Sequence, residues 1–445
     1  MKRSAPKNKP PPSAPLRNAV FANSLKLARF RTTAATFVLG ILLASSDVPA
    51  GALEIRAKQE GESTIRVVSE GRFETTLTKH SGFGTTWFDL KNDPGKRRDL
   101  GPRVGGEYGG GLLWVKFGVK GKDGSYEPTP IEEMKLLEAG PARVRVALRG
   151  VHNRYGLPGP GRAVAALRFT MIYTVYPDGN VAVGYALEAA EDVPLGGFLV
   201  ITRSTGTWGP NGKGDGKREV HAVGEFGDGK PSGKTASSFA LQWSAGPTHF
   251  TDMLMIAHRG RYNAGYWHEG YLDQDNRTSL DLRSGPEYFQ EDALRKGTTH
   301  LSLLMRFAVD MNSGKEAAAY ANDYRSPDRL GFSKGQADVS DEGDRNQDGF
   351  NEEEGCYVLK AAPDGAAFTI HGSKIARINP AFKVKGWNGP ETPRLTMGGA
   401  PLVQGEDFQT SIGGGVLLVK LARIVNSDVP VSIAKPATTE TKEKP

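Results

Sequence analysis

The sequence predicts a mostly β protein: a large antiparallel β-sandwich followed by a small immunoglobulin-like β-sandwich. Three observations carry this. Apolar and polar residues alternate with period two through most of the chain after Leu53. The 56 Gly and 28 Pro are spread along it as turn punctuation. Only one segment has the signals of a helix.

The first 52 residues read as an address. Met1 to Arg31 carry Lys2, Arg3, Lys7, Lys9, Arg17, Lys26, Arg29 and Arg31 and no acid. The apolar run Ala34 to Ala44 and a small-residue stretch ending Ala50-Gly51-Ala52 follow. A basic region, a short apolar core and an A-x-A site make a secretory signal. The apolar run falls short of the ~20 residues that span a bilayer, so no membrane span is expected after cleavage. The expected locations are secreted, periplasmic or cell-surface.

This leader also explains the charge. The chain has 57 basic and 50 acidic residues, a net charge of +7. Eight of those basic residues and only Asp47 lie in the leader, so the remainder balances. A neutral folded part gives no support to nucleic acid as a partner. Cys356 is the single cysteine, which excludes an internal disulfide.

Residues 53–330 read as the large sandwich. Val144, Val146 and Leu148 alternate with Arg143, Arg145 and Arg149, the pattern of a half-buried strand with one basic face. Phe169, Met171, Tyr173 and Val175 lead into Pro177-Asp178-Gly179-Asn180, and Val181, Val183, Tyr185 and Leu187 resume the alternation, giving a long hairpin. Further strands are expected at Phe198–Thr202, Ser238–Trp243, Met253–His258 and His300–Val309. A capping box at Ser313 to Glu316 opens an Ala-rich helix to Tyr324, stopped by Ser326-Pro327. Residues 331–353 read as a polar linker. Residues 354–434 read as the small sandwich, with strands at Cys356–Ala361, Ala367–His371, Ala381–Val384, Arg394–Met397 and Val416–Leu421. Residues 435–445 read as a disordered tail.

The sharpest chemical motif is Asp344-Arg345-Asn346-Gln347-Asp348-Gly349-Phe350. Oxygen ligands at positions 1, 3 and 5 with Gly at 6 are what a calcium loop requires, and the Phe350 carbonyl fits position 7. Position 12 is Gly355; the acids come earlier, at Glu352, Glu353 and Glu354. The expected ion is a structural calcium; the alternative is a solvated acidic linker.

A second cluster is His258-Arg259-Gly260-Arg261-Tyr262, then Tyr266-Trp267-His268-Glu269. Aromatic faces stack on sugar rings and Arg pairs with uronate carboxylates. His258, Arg261, Tyr262, His268 and Glu269 are the candidate acid–base groups, and Arg259, Tyr266 and Trp267 the candidate sugar contacts. A third patch, His152-Asn153-Arg154-Tyr155, reads as a loop whose His152, Arg154 and Tyr155 suit an acidic sugar. The alternative for both patches is aromatic packing over a sandwich edge. No P-loop, G-x-S-x-G elbow or H-E-x-x-H motif occurs.

Taken in order, the opening Phe73-Glu74-Thr75-Thr76 and Gly84-Thr85-Thr86-Trp87-Phe88-Asp89-Leu90, the long antiparallel run, the helix ending Asn322 to Pro327 and the small β domain reaching Pro380 to Trp387 resemble the galactose mutarotase-like super-sandwich of polysaccharide lyases and related carbohydrate-active proteins. The resemblance covers roughly residues 55–330. It implies glycan or polysaccharide as the partner. No helical toroid domain precedes the sandwich, which favours a non-catalytic relative. Three readings follow: an exported, non-catalytic carbohydrate-binding protein; a lyase or other carbohydrate-active enzyme working on acidic glycans; and a structural envelope protein.

Overall fold

The computed structural model describes residues 54–69, 73–79, 82–88, 97–100, 116–119, 125–127, 131–154, 163–205, 217–223, 238–245, 248–257, 266–268, 279–284, 293–306, 327–344, 346–373 and 376–436. The leader, the Ala-rich helix and the tail from Ala437 lie outside them. Among the described residues the regular elements are strands, and no helix is long and apolar enough to cross a membrane.

Five strands from Ile55–Glu60 to Arg97–Leu100 form an N-terminal antiparallel meander. Its inward residues alternate as β geometry requires: Ile65 and Val67 lie opposite Leu77 and Thr75, and all four are buried. The outward face carries the bidentate pair of Arg66 and Glu74, both bonds 2.7 Å.

The second sheet has 14 strands. Its centre is the hairpin of Ala163–Val175 and Asn180–Ala189, flanked by Arg143–Arg154 and Gly297–Arg306. The turn is built as its residues dictate. Gly179 supplies a positive φ of 87°, the Tyr176 amide donates to the Asn180 carbonyl, and Asp178 accepts from the Asn180 amide. One face is sealed: Val144, Val146, Leu148, Met171, Tyr173, Val183 and Tyr185 are no more than 2% exposed. The N-terminal meander is tied to this sheet by the Ile55 amide on the Pro141 carbonyl and by Ser69 Oγ on the Pro177 carbonyl.

Residues from Leu330 to Ala434 form two further sheets. One has the order Leu330–Lys334, Gly365–Ile370, Val429–Ala434, Arg394–Met397, Ala400–Pro401. The other runs Gln336–Ala337, Cys356–Lys360, Ala381–Lys385, Val416–Leu421, Phe408–Gly413, with Phe350–Asn351 beside Cys356–Lys360. Cys356–Lys360 and Ala381–Lys385 are parallel, so the chain crosses to the opposite sheet at Gly365–Ile370 between them. The core holds Trp387, Phe368 and Phe382, the last stacked on Tyr357 at 5.5 Å.

The segment expected as a linker therefore supplies strands at Leu330–Lys334 and Gln336–Ala337. Its polar composition reflects a half-exposed edge: Leu330 and Phe332 pack against the core, while Ser333 and Lys334 of the same strand are exposed.

Candidate functional site

The basic face of Arg143–Arg154 is where the C-terminal sandwich meets the large sheet. Arg143 is buried, while Arg149 six residues on is exposed, so the sandwich covers only one end of this face. Under the cover, Arg143 Nη1 reaches Glu354 Oε2 at 2.6 Å and its Nε donates to Glu138 at 2.8 Å. Lys383 Nζ meets the other oxygen of Glu354 at 2.7 Å, and Tyr176 OH donates to the Glu354 carbonyl at 2.6 Å. Burial opposes charge on Glu354, yet Arg143, Arg145 and Lys383 hold its carboxyl down at about 2. A second buried pair joins Lys420 Nζ to Asp178 Oδ2 at 2.9 Å, beneath the hairpin turn. Ala142, Tyr176, Cys356, Ala381 and Leu418 form the small apolar cluster between them. Cys356 is fully buried, as a small core residue should be, and burial pushes its thiol up to about 12.

Beyond the cover, the same face opens into a shallow trough. Cross-strand register sets Arg149, Thr170, Ala186 and His300 in one row over four strands. Three strand spacings of ~4.8 Å place the row's ends about 14 Å apart at the backbone. The floor is low, made of half-buried Thr170, Ile172 and Ala186. Arg149 and Arg168 form one wall, each ion-paired outward, to Glu133 at 3.5 Å and Glu132 at 3.2 Å. His300 forms the other, its Nδ1 3.3 Å from Glu353 Oε1.

Glu353 closes the trough's covered end because Gly184 makes room for it. A Cβ at position 184 would sit 3.0 Å from both Cβ and Oε2 of Glu353. A glycine inside a strand marks such a close approach, and this was the signal available in the sequence.

The acidic loop lies directly before these residues. Asp344 accepts from the amides of Asp348 and Gly349, Asp348 accepts from the amide of Phe350, and Asn346 bridges to Asp348 at 2.9 Å. Gln347 and Gly349 carry positive φ of 61° and 89°, bending the loop back on itself. Carboxylate oxygens of Asp344, Asp348 and Glu352 lie within 4.8 Å of one another. Burial, the largest influence, raises the Asp344 carboxyl above its ordinary range. Three hard oxygen donors converging in a partly dry loop fit a calcium-like cation. Glu353, expected as a further ligand, is instead turned to His300, since consecutive residues of this turn point apart.

The other expected site residues divide. His152 is not on a loop. It ends inside the strand Arg143–Arg154, fully buried, with Nε2 2.8 Å from Tyr185 OH and its ring edge-on to Phe169 at 5.5 Å. The alternation that buries Val144 to Leu148 carries on to position 152 and takes His152 away from any ligand; Arg154 ends this strand. Tyr266–His268 is the edge strand of the large sheet, paired with Ser279–Ser284, so Trp267 and its neighbours stand at a sheet margin. Tyr155, His258, Arg259, Arg261, Tyr262 and Glu269 lie outside the described residues. His300 and Arg149 were not expected as site residues, and Glu353 was expected only as a metal ligand.

No protein-family model matches the chain, and no curated protein matches it. Among solved structures it is similar to a GalM/aldose epimerase homologue from C. elegans, with 13% identity over 56% of this chain and 99% of that one, TM-score 0.34. It is similar to galactose 1-epimerase from Lactobacillus acidophilus, with 8% identity over 56% and 96% of the two chains, TM-score 0.31. An active YidC insertase shares 13% identity over 60% of this chain and 45% of its own, TM-score 0.25. These overlaps are of β architecture and bring no activity with them.

Proposed function

We propose that this chain is an exported carbohydrate-binding β-sandwich protein, non-catalytic, with a structural calcium in the Asp344 loop. The observation that carries the reading is the trough: a low floor of small residues about 14 Å wide, walled by guanidinium groups on one side and His300 with Glu353 on the other. Guanidinium and carboxylate groups facing one another across a shallow sheet suit the hydroxyls and carboxylates of an extended glycan. The edge strand Tyr266–His268 extends the same sheet with aromatic residues. Asp344, Asp348 and Glu352 would hold the cation, whose part is to fix the loop that ends in Glu353. Export rests on the leader motif. Affinity electrophoresis of the mature chain through gels cast with uronate and neutral polysaccharides tests the reading. Retardation by at least one polymer, lost on Arg149→Ala with Arg168→Ala, is expected; no retardation by any overturns it.

One observation favours an enzyme as the second reading. The His300–Glu353 contact is an imidazole held by a carboxylate at a sheet face, an arrangement able to move a proton. Incubation with uronate polymers, followed in the ultraviolet for unsaturated product, separates the two. Product that disappears in His300→Ala establishes the lyase reading and overturns the first.

A further inference from the structure

A second concavity lies apart from the trough, between the large sheet and the C-terminal sandwich. It is a half-open cleft of about 590 Å3, lined by Glu138 and Arg145 from the large sheet and by Gln404, Thr410 and Ser411 from the sandwich. Clefts of about 300–1,000 Å3 between domains are where small ligands bind.

The electrostatics of this cleft are unbalanced at one residue. The connected ion pairs around Glu354 include the cations Arg143, Arg145 and Lys383 and the carboxylates Glu138 and Glu354. Lys360 and Lys385 complete the cations, and Asp338 and Asp341 the carboxylates. Five positive groups thus share four negative ones. Arg143 is well served, with bonds of 2.8 and 2.6 Å, and so is Lys383 at 2.7 Å. Arg145 is the poorly served member. Its ionic contact is 3.4 Å, to a Glu354 already shared with the other two, and its Nε, sealed from solvent, has no acceptor among the described residues. The Arg145 side chain is 23% exposed, so its terminal nitrogens, and not the sealed Nε, are what an oxyanion in the cleft would meet, and their planar geometry matches a carboxylate.

The opposite wall adds hydroxyl and amide groups. Gln404 Nε2 donates to Thr410 Oγ1 at 3.2 Å, which leaves the Gln404 carbonyl oxygen and the Thr410 hydroxyl hydrogen for a ligand. Ser411 Oγ accepts from the Ala142 amide and keeps its own hydrogen to donate. Leu137, 42% exposed, offers an apolar edge at the rim. One anion-seeking group, several hydroxyl-matching groups and an apolar edge are the complement of a sugar acid.

We propose that this cleft binds a carboxylate-bearing saccharide, with the carboxylate on Arg145 and ring hydroxyls on Gln404 and Thr410. The site is independent of the trough, and the test keeps the two apart. Isothermal titration of the whole mature chain would use D-glucuronate, with D-glucose as the neutral arm and sodium sulfate as the bare-oxyanion arm. Glucuronate should bind at least tenfold tighter than either. Measured in an Arg149→Ala, Arg168→Ala background, which disables the trough, Arg145→Gln should lose tenfold or more and Gln404→Ala about threefold. Should Arg145→Gln fail to fold, Gly413→Trp, at a lining position where an added Cβ meets nothing within 4 Å, should abolish binding with the fold kept. Equal binding of glucose or sulfate overturns the assignment. So does full binding by Arg145→Gln or by Gly413→Trp in that background.

Discussion

Arg143 and Glu354 meet at 2.6 Å with side chains only 5% and 8% exposed, and their chain positions are 211 residues apart. One residue belongs to the large sheet and the other to the loop that opens the C-terminal sandwich. Their contact is the centre of the joint that covers half of the sheet's basic face and leaves the other half as the trough.

Removing one partner of a buried pair is costly because the other charge stays in a poorly solvating place. Glu354→Gln leaves Arg143, Arg145 and Lys383 without their shared carboxylate, so it should destabilise by roughly 3–5 kcal/mol. Urea unfolding followed by tryptophan fluorescence measures this. A loss under about 1 kcal/mol would show the network to be solvated in solution.

Acid should act through the same group. The folded-state carboxyl of Glu354 sits at about 2, against an ordinary value of 4.5, and those of Asp341 and Asp338 are also lowered by their lysine partners despite burial. A depressed carboxyl contributes stability that is fully present above 4.5 and is lost as pH falls toward 2. The melting temperature should therefore hold from pH 7 to about 5 and drop between about 4.5 and 2. In Glu354→Gln the drop should be shallower; an identical curve would assign acid lability elsewhere.

Asp344 has the opposite sign. Burial raises its carboxyl, so its ionised form is disfavoured in the fold, and a cation at Asp344, Asp348 and Glu352 would offset that cost. Calcium should raise the melting temperature at pH 7, chelator should lower it, and the calcium effect should shrink as the pH falls and protons compete. Asp348→Ala should abolish it. Scanning calorimetry that gives the same transition with calcium and with chelator removes calcium from the account.

Gly184→Ala tests the link between strand and trough. The added methyl meets Glu353 at 3.0 Å, so the side chain must give by a few tenths of an ångström and its contact with His300 should loosen. Overpacking of this kind costs about 1–3 kcal/mol. Glycan retardation should weaken by more than in Gly61→Ala, where the new methyl meets nothing. Equal behaviour of the two variants would detach Glu353 from binding.

How far the sequence could be read follows from what local pattern encodes. Period-two alternation located the long hairpin and its turn at Pro177 to Asn180, though the strands run further, Ala163–Val175 and Asn180–Ala189, and it gave Arg394–Met397 and Val416–Leu421 their observed bounds. It could not say that the basic face of Arg143–Arg154 is half covered, because the covering carboxylate comes from a remote segment. His152 misled for a related reason: histidine and asparagine break the apolar run, so the strand's buried end looked like a loop. The acidic loop at Asp344 was legible as a motif because its oxygen-bearing residues are neighbours in sequence. His300 was not, because its partner Glu353 reaches it only through the fold, and the hint at Gly184 lay in a residue without a side chain.

The joint's long sequence separations bear on how the chain matures. Arg143 must wait for Glu354 211 residues later, and the Ala142 amide for Ser411 269 residues later. Such distant closures form slowly. A chain crossing a membrane from its N-terminus would have its large sheet folded, with guanidinium groups and the Asp178 turn still uncovered, until the strand bearing Lys420 emerged. During that interval the half-finished protein would expose guanidinium groups beside apolar residues not yet packed, a surface prone to association.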